Sequence, residues 1–111
     1  QGANLISNVP HNLTEAGETI ATVIAHANDV GAEQIEVTAT AEAAWVAKLE
    51  SGGRTFGGDP TCTPGYYNNE GKGADEKATR NSLGYPEGPV AYFEHIDRWR
   101  AAGTFDGLVF R

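Results

Sequence analysis

Gly57–Lys72, GGDPTCTPGYYNNEGK, is the stretch around which this chain divides. It holds two prolines, four glycines and the adjacent pairs Tyr66–Tyr67 and Asn68–Asn69. No helical or alternating apolar period runs through it. A loop this long in a small domain is as a rule functional or disordered, and disordered segments are poor in aromatic residues. Two readings stand. One is an ordered loop that touches a ligand or another part of the protein; the other is a solvated connection whose tyrosines tuck onto the nearest helix.

The surroundings of the loop bound the class. A length of 111 residues fits one domain with a modest core. Hydrophobic content of 40% with 21% charged residues points to a globular chain. A net charge of −7 repels phosphate backbones, which argues against nucleic acid or an anionic membrane as partner. No apolar run approaches a membrane span, and no signal segment opens the chain. The single cysteine, Cys62, excludes an internal disulfide and a multi-cysteine metal site, and a reducing, cytoplasmic compartment fits best. The absence of Met and the apolar opening from Ala3 to Val9 lead us to expect processing, or excision from a longer protein.

On the N-terminal side, residues 1–10 read as a short extended piece ending in a turn. Pro10 biases Val9 away from helix. Asn12 is the expected cap of a first helix, with Glu15 three residues on as its reciprocal partner. Leu13, Ala16, Ile20, Val23, Ile24 and Ala27 follow at helical spacing, and Gly31 closes the helix in the left-handed region. Ile35 and Val37 alternate with polar residues as a short strand. Thr38 or Thr40 caps a second helix to about Glu50, with Ala41, Ala44, Trp45 and Leu49 along its stripe and Trp45 as a core anchor.

On the C-terminal side, 73–84 is polar and contributes to a basic patch of Lys72, Lys77 and Arg80. A solvated face and a phosphate-type anion site are the two readings of that patch. Pro89 suits the first position of a third helix, on which Tyr92, Phe93, Ile96 and Trp99 share a face, and Gly103 closes it. Phe105, Leu108 and Phe110 form an apolar tail that adds a strand to a sheet edge or packs into a groove. The fold class expected is α+β: three helices, one or two short strands and a long loop.

The chemistry of a complete active site is missing. Gly71-Lys72-Gly73 is no dinucleotide fingerprint, since it does not join a strand to a helix. His11, His26 and His95 lack metal spacing and read as surface or structural. Asp59 and Glu70 flank the loop without forming a defined acid/base pair. Cys62 has no histidine near it in sequence and reads as a plain small residue rather than a nucleophile.

Five motifs, taken in order, carry a resemblance. They are SNVPHN (Ser7–Asn12), EVTATAEAAWV (Glu36–Val46), CTPGYYNNEGK (Cys62–Lys72), GPVAYFEHIDRWR (Gly88–Arg100) and FDGLVFR (Phe105–Arg111). Together they resemble the C-terminal end of type I Baeyer–Villiger monooxygenases, above all the larger members acting on bulky, steroid and macrocyclic ketones. The resemblance covers nearly all of this chain, but only about the last fifth of a family member.

The resemblance implies a parent enzyme that holds FAD and NADPH in two dinucleotide-binding domains and inserts oxygen into ketones to give esters or lactones. The glycine fingerprints, the signature motif and the arginine that supports oxygen activation lie upstream in such proteins, so the chain alone is expected to be inactive. Residues 1–31 would be the closing segment and helix of the FAD domain, and 32–111 a C-terminal extension carrying a cofactor-covering loop. The segment matching Asn4–Val9 passes beside the flavin in the family. Leu5, Ile6 and Val9 would then wall the ketone pocket, with Asn4, Ser7 and Asn8 forming the active-site turn. The loop matching Thr61–Lys72 lies over the bound NADP and moves, as a lid excluding water does. Many smaller members carry Trp where Cys62 stands; here Tyr66, Tyr67, Asn68, Asn69 and Lys72 would supply the contacts. The partners implied are the upstream FAD and NADP domains of the same protein and a ketone. The alternatives are a stand-alone interaction module and a small subunit of a split flavoenzyme.

Overall fold

Pro10 opens a helix instead of ending a turn. The computed structural model describes residues 8–52, 63–65, 70 and 84–111. Helix α1 runs over Val9–Asp29, with Asn8 at its N-cap and Pro10 in its first turn. The expected start at Asn12 is therefore corrected by one turn. Proline's missing N–H has no intrahelical partner to lose in the first turn, and the Asn12 N–H bonds the Asn8 carbonyl at 3.1 Å. The reciprocal partner foreseen for Asn12 is also engaged elsewhere, because the Glu15 carboxylate meets Arg100 at 2.6 Å. The other end of α1 is as expected. Gly31 has φ +70°, its N–H bonds Asn28 at 3.1 Å, and the Ala32 N–H bonds Ala27 at 2.8 Å, which together make a Schellman closure.

Strand β1 (Ile35–Val37) and strand β2 (Leu108–Phe110) form an antiparallel pair in which Ile35 faces Phe110, Glu36 faces Val109 and Val37 faces Leu108. The apolar tail thus adds a strand. Main-chain bonds continue beyond the strands: Glu33 and Gln34 donate to the Arg111 carbonyl, and Thr38 donates to that of Gly107 at 2.9 Å. Helix α2 (Ala39–Glu50) begins at Thr38, whose hydroxyl accepts the Ala41 N–H at 3.2 Å; of the two threonines foreseen, Thr38 is the cap. Helix α3 (Pro89–Ala102) starts with Pro89 in its first turn and closes at Gly103, φ +65°. Among the described residues this gives three helices and a two-stranded sheet, an α+β arrangement.

Among the described residues the buried apolar core is Ala27, Leu49, Tyr85 and Phe105. Phe105 sits at φ +50°, a backbone region that costs a non-glycine residue about 1–2 kcal/mol. Its ring meets His26 at 4.5 Å, Trp99 at 5.3 Å and Phe110 at 5.8 Å between centroids. Burial of an aromatic ring is the larger effect and holds the strained backbone in place. The Trp99 indole donates to the Asp106 carbonyl at 3.1 Å and closes this corner.

Helix α1 carries its faces inside out for a small isolated domain. The side turned toward the rest of the chain holds Asn12, Glu15, Thr19, Thr22, Val23, His26 and Ala27. Part of the apolar stripe is turned away: Leu13 is 68% exposed, Ile20 60% and Ile24 49%, whereas Val23 and Ala27 face inward. Gly17, between them, has nothing within 4 Å of the place a Cβ would take. Arg100 of α3 satisfies the polar side. It donates to the Glu15 carboxylate and carbonyl, to Glu18 and to Thr19, and also pairs with Asp97 on its own helix. Burial pulls the pKa of Arg100 down, but the bonds to Asp97 and Glu15 outweigh it and leave it raised.

Candidate functional site

Two segments were singled out in the sequence, 4–9 and 62–72. Of the first, Asn8 and Val9 are described; Asn4, Leu5, Ile6 and Ser7 lie outside the described residues. Asn8 caps α1 with φ −53° and ψ 117°, and Val9 is the first helical residue, 54% exposed. Of the second, Cys62, Tyr66, Tyr67, Asn68, Asn69 and Lys72 lie outside the described residues, as do Lys77 and Arg80. Inside it, the Glu70 N–H reaches the Gly65 carbonyl at 3.0 Å, with Glu70 at φ +56°.

The described flanks of the loop stand side by side. A methyl built on Gly52 would lie 3.6 Å from Pro86 Cβ, so the chain enters and leaves the 53–83 stretch at one place. Side chains fasten that place. The Lys48 ammonium donates to the Tyr85 hydroxyl at 2.6 Å, stands 4.4 Å from the centre of the same ring and meets Glu87 at 3.7 Å. The bond to Tyr85 holds Lys48 above its ordinary 10.5 against a desolvation that works the other way, and Glu87 adds to the rise.

An aromatic cluster stands on this base. Trp45 stacks on His95 at 5.9 Å and lies 5.8 Å from Tyr85. Tyr85 stacks on His95 at 6.0 Å and meets Tyr92 edge-on at 5.7 Å. Tyr92 continues to Phe93 at 5.5 Å, and Phe93 receives His11 of α1 at 4.6 Å. A row of rings therefore runs from the loop base, across the first turns of α3, to the first turn of α1. Burial raises the Tyr92 pKa above 10.0. Burial also lowers that of His95 below 6.5, helped by Lys48 and Arg98 and opposed by Glu87. At neutral pH His95 is thus an uncharged ring in the stack, a structural histidine as expected.

This arrangement orients segments of the chain relative to one another. Among the described residues no group of three His, Cys, Asp or Glu is placed to hold a metal ion, and no helix is long and apolar enough to cross a membrane. The described cations do not form a phosphate cradle. Lys48, Arg100 and Arg111 are turned to Glu87, to Glu15, Glu18 and Asp97, and to Glu36, respectively. Arg98 bonds the Glu94 carbonyl at 3.1 Å, so none of the described cations stands ready for a phosphate. Sequence inspection alone had missed Arg100, Lys48 and Tyr85. Asp97 and Arg100 are legible as an i,i+3 pair, but nothing local announces Glu15 as the partner of Arg100.

The described residues thus form a small α+β unit with an outward apolar patch on α1. Known relatives identify the family. The chain is 37% identical over 102 residues to the FAD-binding monooxygenase hmp7 of Hypomyces subiculosus, covering 91% of this chain and 17% of that protein. It is 38% identical over 94 residues to a Baeyer–Villiger monooxygenase of Streptomyces coelicolor, covering 84% and 15%. It is 31% identical over 105 residues to neopentalenolactone D synthase of Streptomyces avermitilis, covering 94% and 17%. The chain thus belongs to the Baeyer–Villiger monooxygenase family and spans about one sixth of the length of these relatives. No protein-family model matches the chain, and no solved structure does.

Proposed function

We propose that this chain is the C-terminal portion of an FAD- and NADPH-dependent Baeyer–Villiger monooxygenase that converts ketones to esters or lactones. The observation that carries the proposal is the outward stripe of α1. Leu13, Ile20 and Ile24 present a continuous apolar face with no partner in the described chain, while polar residues of the same helix are satisfied inward by Arg100. An exposed stripe of that kind marks a contact surface, and relatives several times longer leave room for a partner outside this chain. Residues 1–31 then close the FAD domain, and 32–111 form the extension that bears the cofactor-covering loop.

When bound upstream, the flavin supplies the activated oxygen. The contribution of this chain is placement. Asn4, Ser7 and Asn8 form the turn beside the ketone, and Leu5, Ile6 and Val9 wall its pocket. Cys62, Tyr66, Tyr67, Asn68, Asn69 and Lys72 lie over the nicotinamide cofactor and keep water from the reacting centre. The ring cluster at Tyr85 holds the base of that loop. The test is NADPH oxidation by the full-length polypeptide with a panel of bulky ketones. Ketone-dependent consumption with a lactone or ester product supports the proposal; an upstream sequence without dinucleotide-binding domains sinks it.

A further inference from the structure

The ring cluster holds one group that changes its charge within the ordinary pH range. We propose that His95 makes the meeting point of α2 and α3 a pH-sensitive clasp: as a neutral ring it binds α2, the 85–88 turn and α3 together, and as a cation it lets them part where the chain enters and leaves the 53–83 stretch. The clasp is built from described residues and is independent of the monooxygenase reading.

Three elements meet on His95, itself a residue of α3. From α2, Trp45 stacks on it at 5.9 Å with the ring planes 22° apart. From the turn, Tyr85 stacks on it at 6.0 Å and 28°. Trp45 and Tyr85 close the triangle at 5.8 Å. Loosening His95 therefore loosens both of its contacts at once. Tyr85 is buried and precedes Pro86, whose Cβ lies 3.6 Å from the place of a Cβ on Gly52. The ring triangle thus holds the junction of the two flanks.

The charges around the ring decide the sign. From α2, the Lys48 ammonium stands 2.6 Å from the Tyr85 hydroxyl and 4.4 Å from the centre of that ring. On α3, Arg98 adds a second positive charge, and Tyr92 is a half-buried neutral phenol. Glu94 and Asp97, the neighbouring carboxylates of α3, are exposed, and Asp97 is paired with Arg100. From the turn, Glu87 opposes the cations, but its side chain is 56% exposed and stands 3.7 Å from Lys48. Water and Lys48 thus weaken its hold on a charged His95. A third positive charge in this cluster meets desolvation and two like charges. The parted arrangement, with the ring in water, binds the proton more readily, so a fall in pH favours it.

The experiment is amide hydrogen exchange of the full-length polypeptide between about pH 7.5 and 5, corrected for intrinsic rates, alongside C2-hydrogen exchange of the His95 imidazole, which reports its titration midpoint. Gly88, whose N–H bonds the Tyr85 carbonyl at 2.9 Å, and Ser51, whose N–H bonds that of Ala47 at 3.0 Å, report the clasp. Thr38, whose N–H bonds the Gly107 carbonyl at 2.9 Å, reports the strand pair and is the control. Protection at Gly88 and Ser51 should fall by about two- to tenfold, the worth of one ring stack in an opening equilibrium. The fall should follow the His95 midpoint and leave Thr38 unchanged. His95→Phe keeps a ring that takes no proton and should hold protection level across the range. His95→Leu should show lowered protection at every pH. Wild-type protection at Gly88 that stays level would overturn the proposal, as would a rise on acidification, which would mean that attraction of the imidazolium to the Trp45 ring wins. The same fall in His95→Phe, or an equal fall at Thr38, would also overturn it.

Discussion

Arg100 shows how much one residue carries here. Its side chain is 14% exposed and that of Glu15 18%, so the pair lies between a surface bridge and a buried one. Replacing Arg100 with Met leaves Glu15 half-buried without its cation. We expect a loss of about 1–3 kcal/mol, between the values for exposed and buried pairs, read as a lowered urea midpoint. His95 gives a pH-dependent counterpart. Burial against Trp45 and Tyr85 lowers its pKa in the folded chain below the ordinary 6.5. The unfolded chain therefore binds the proton more readily. The stability tied to neutral His95 is complete above pH 6.5 and is lost as pH falls through the lowered folded value. Urea midpoints between pH 7.5 and 5 should fall in the wild type and fall less in His95→Gln; equal slopes would remove the proton linkage. At this scale the sequence was partly legible. The aromatic character of Tyr92, Phe93 and Trp45 is plain in it, whereas the partners of Arg100 and Lys48 are separated from them by most of the chain or by the central loop.

Elements were the most legible scale, because caps and turns are local chemistry. Pro89, Gly103, Gly31 and Thr38 all act where their conformational preferences place them. Thr38→Ala should cost about 1 kcal/mol of stability, while Thr40→Ala, at the second position of α2, should cost less; denaturant midpoints separate the two. Gly107 is a sharper case. It has φ +94°, and a Cβ there would stand 2.9 Å from the Cβ of Ala41. Gly107→Ala should therefore cost about 2–4 kcal/mol through backbone strain and overpacking together, and should speed amide exchange at Thr38, which donates to the Gly107 carbonyl. The start of α1 was misplaced for an equally local reason: Pro10 was read as a stop, although the first turn of a helix tolerates it.

The whole molecule is defined by what α1 turns outward. Within this chain Leu13, Ile20 and Ile24 contribute little to stability, since they are already in water. Leu13→Glu with Ile20→Glu should leave the urea midpoint of the chain within about 0.5 kcal/mol and reduce binding of an apolar dye. In the full-length polypeptide the same pair should strongly lower flavin retention. An unchanged flavin content there would mean that the stripe has no upstream partner. Trp99 and Phe110 are half-buried and engaged with Phe105. The exposed apolar surface lies on α1 instead.

By itself the sequence determined the α+β class, the helix ends set by Gly31, Thr38, Pro89 and Gly103, and the family through five ordered motifs, while it left the apolar tail open between a strand and a groove-packed segment. What it determined is fixed by residues close together in the chain, or by their order; the pairing of Ile35–Val37 with Leu108–Phe110 joins distant segments. Only the tertiary structure decided which face of α1 is inward, that Arg100 joins α3 to Glu15, and that a row of rings links the first turn of α1 to the base of the loop. The reason is physical: a periodic apolar stripe says that a helix has a face to bury, but not against which partner. In this chain a single guanidinium surrounded by carboxylates claims the polar side of α1 and leaves Leu13, Ile20 and Ile24 exposed.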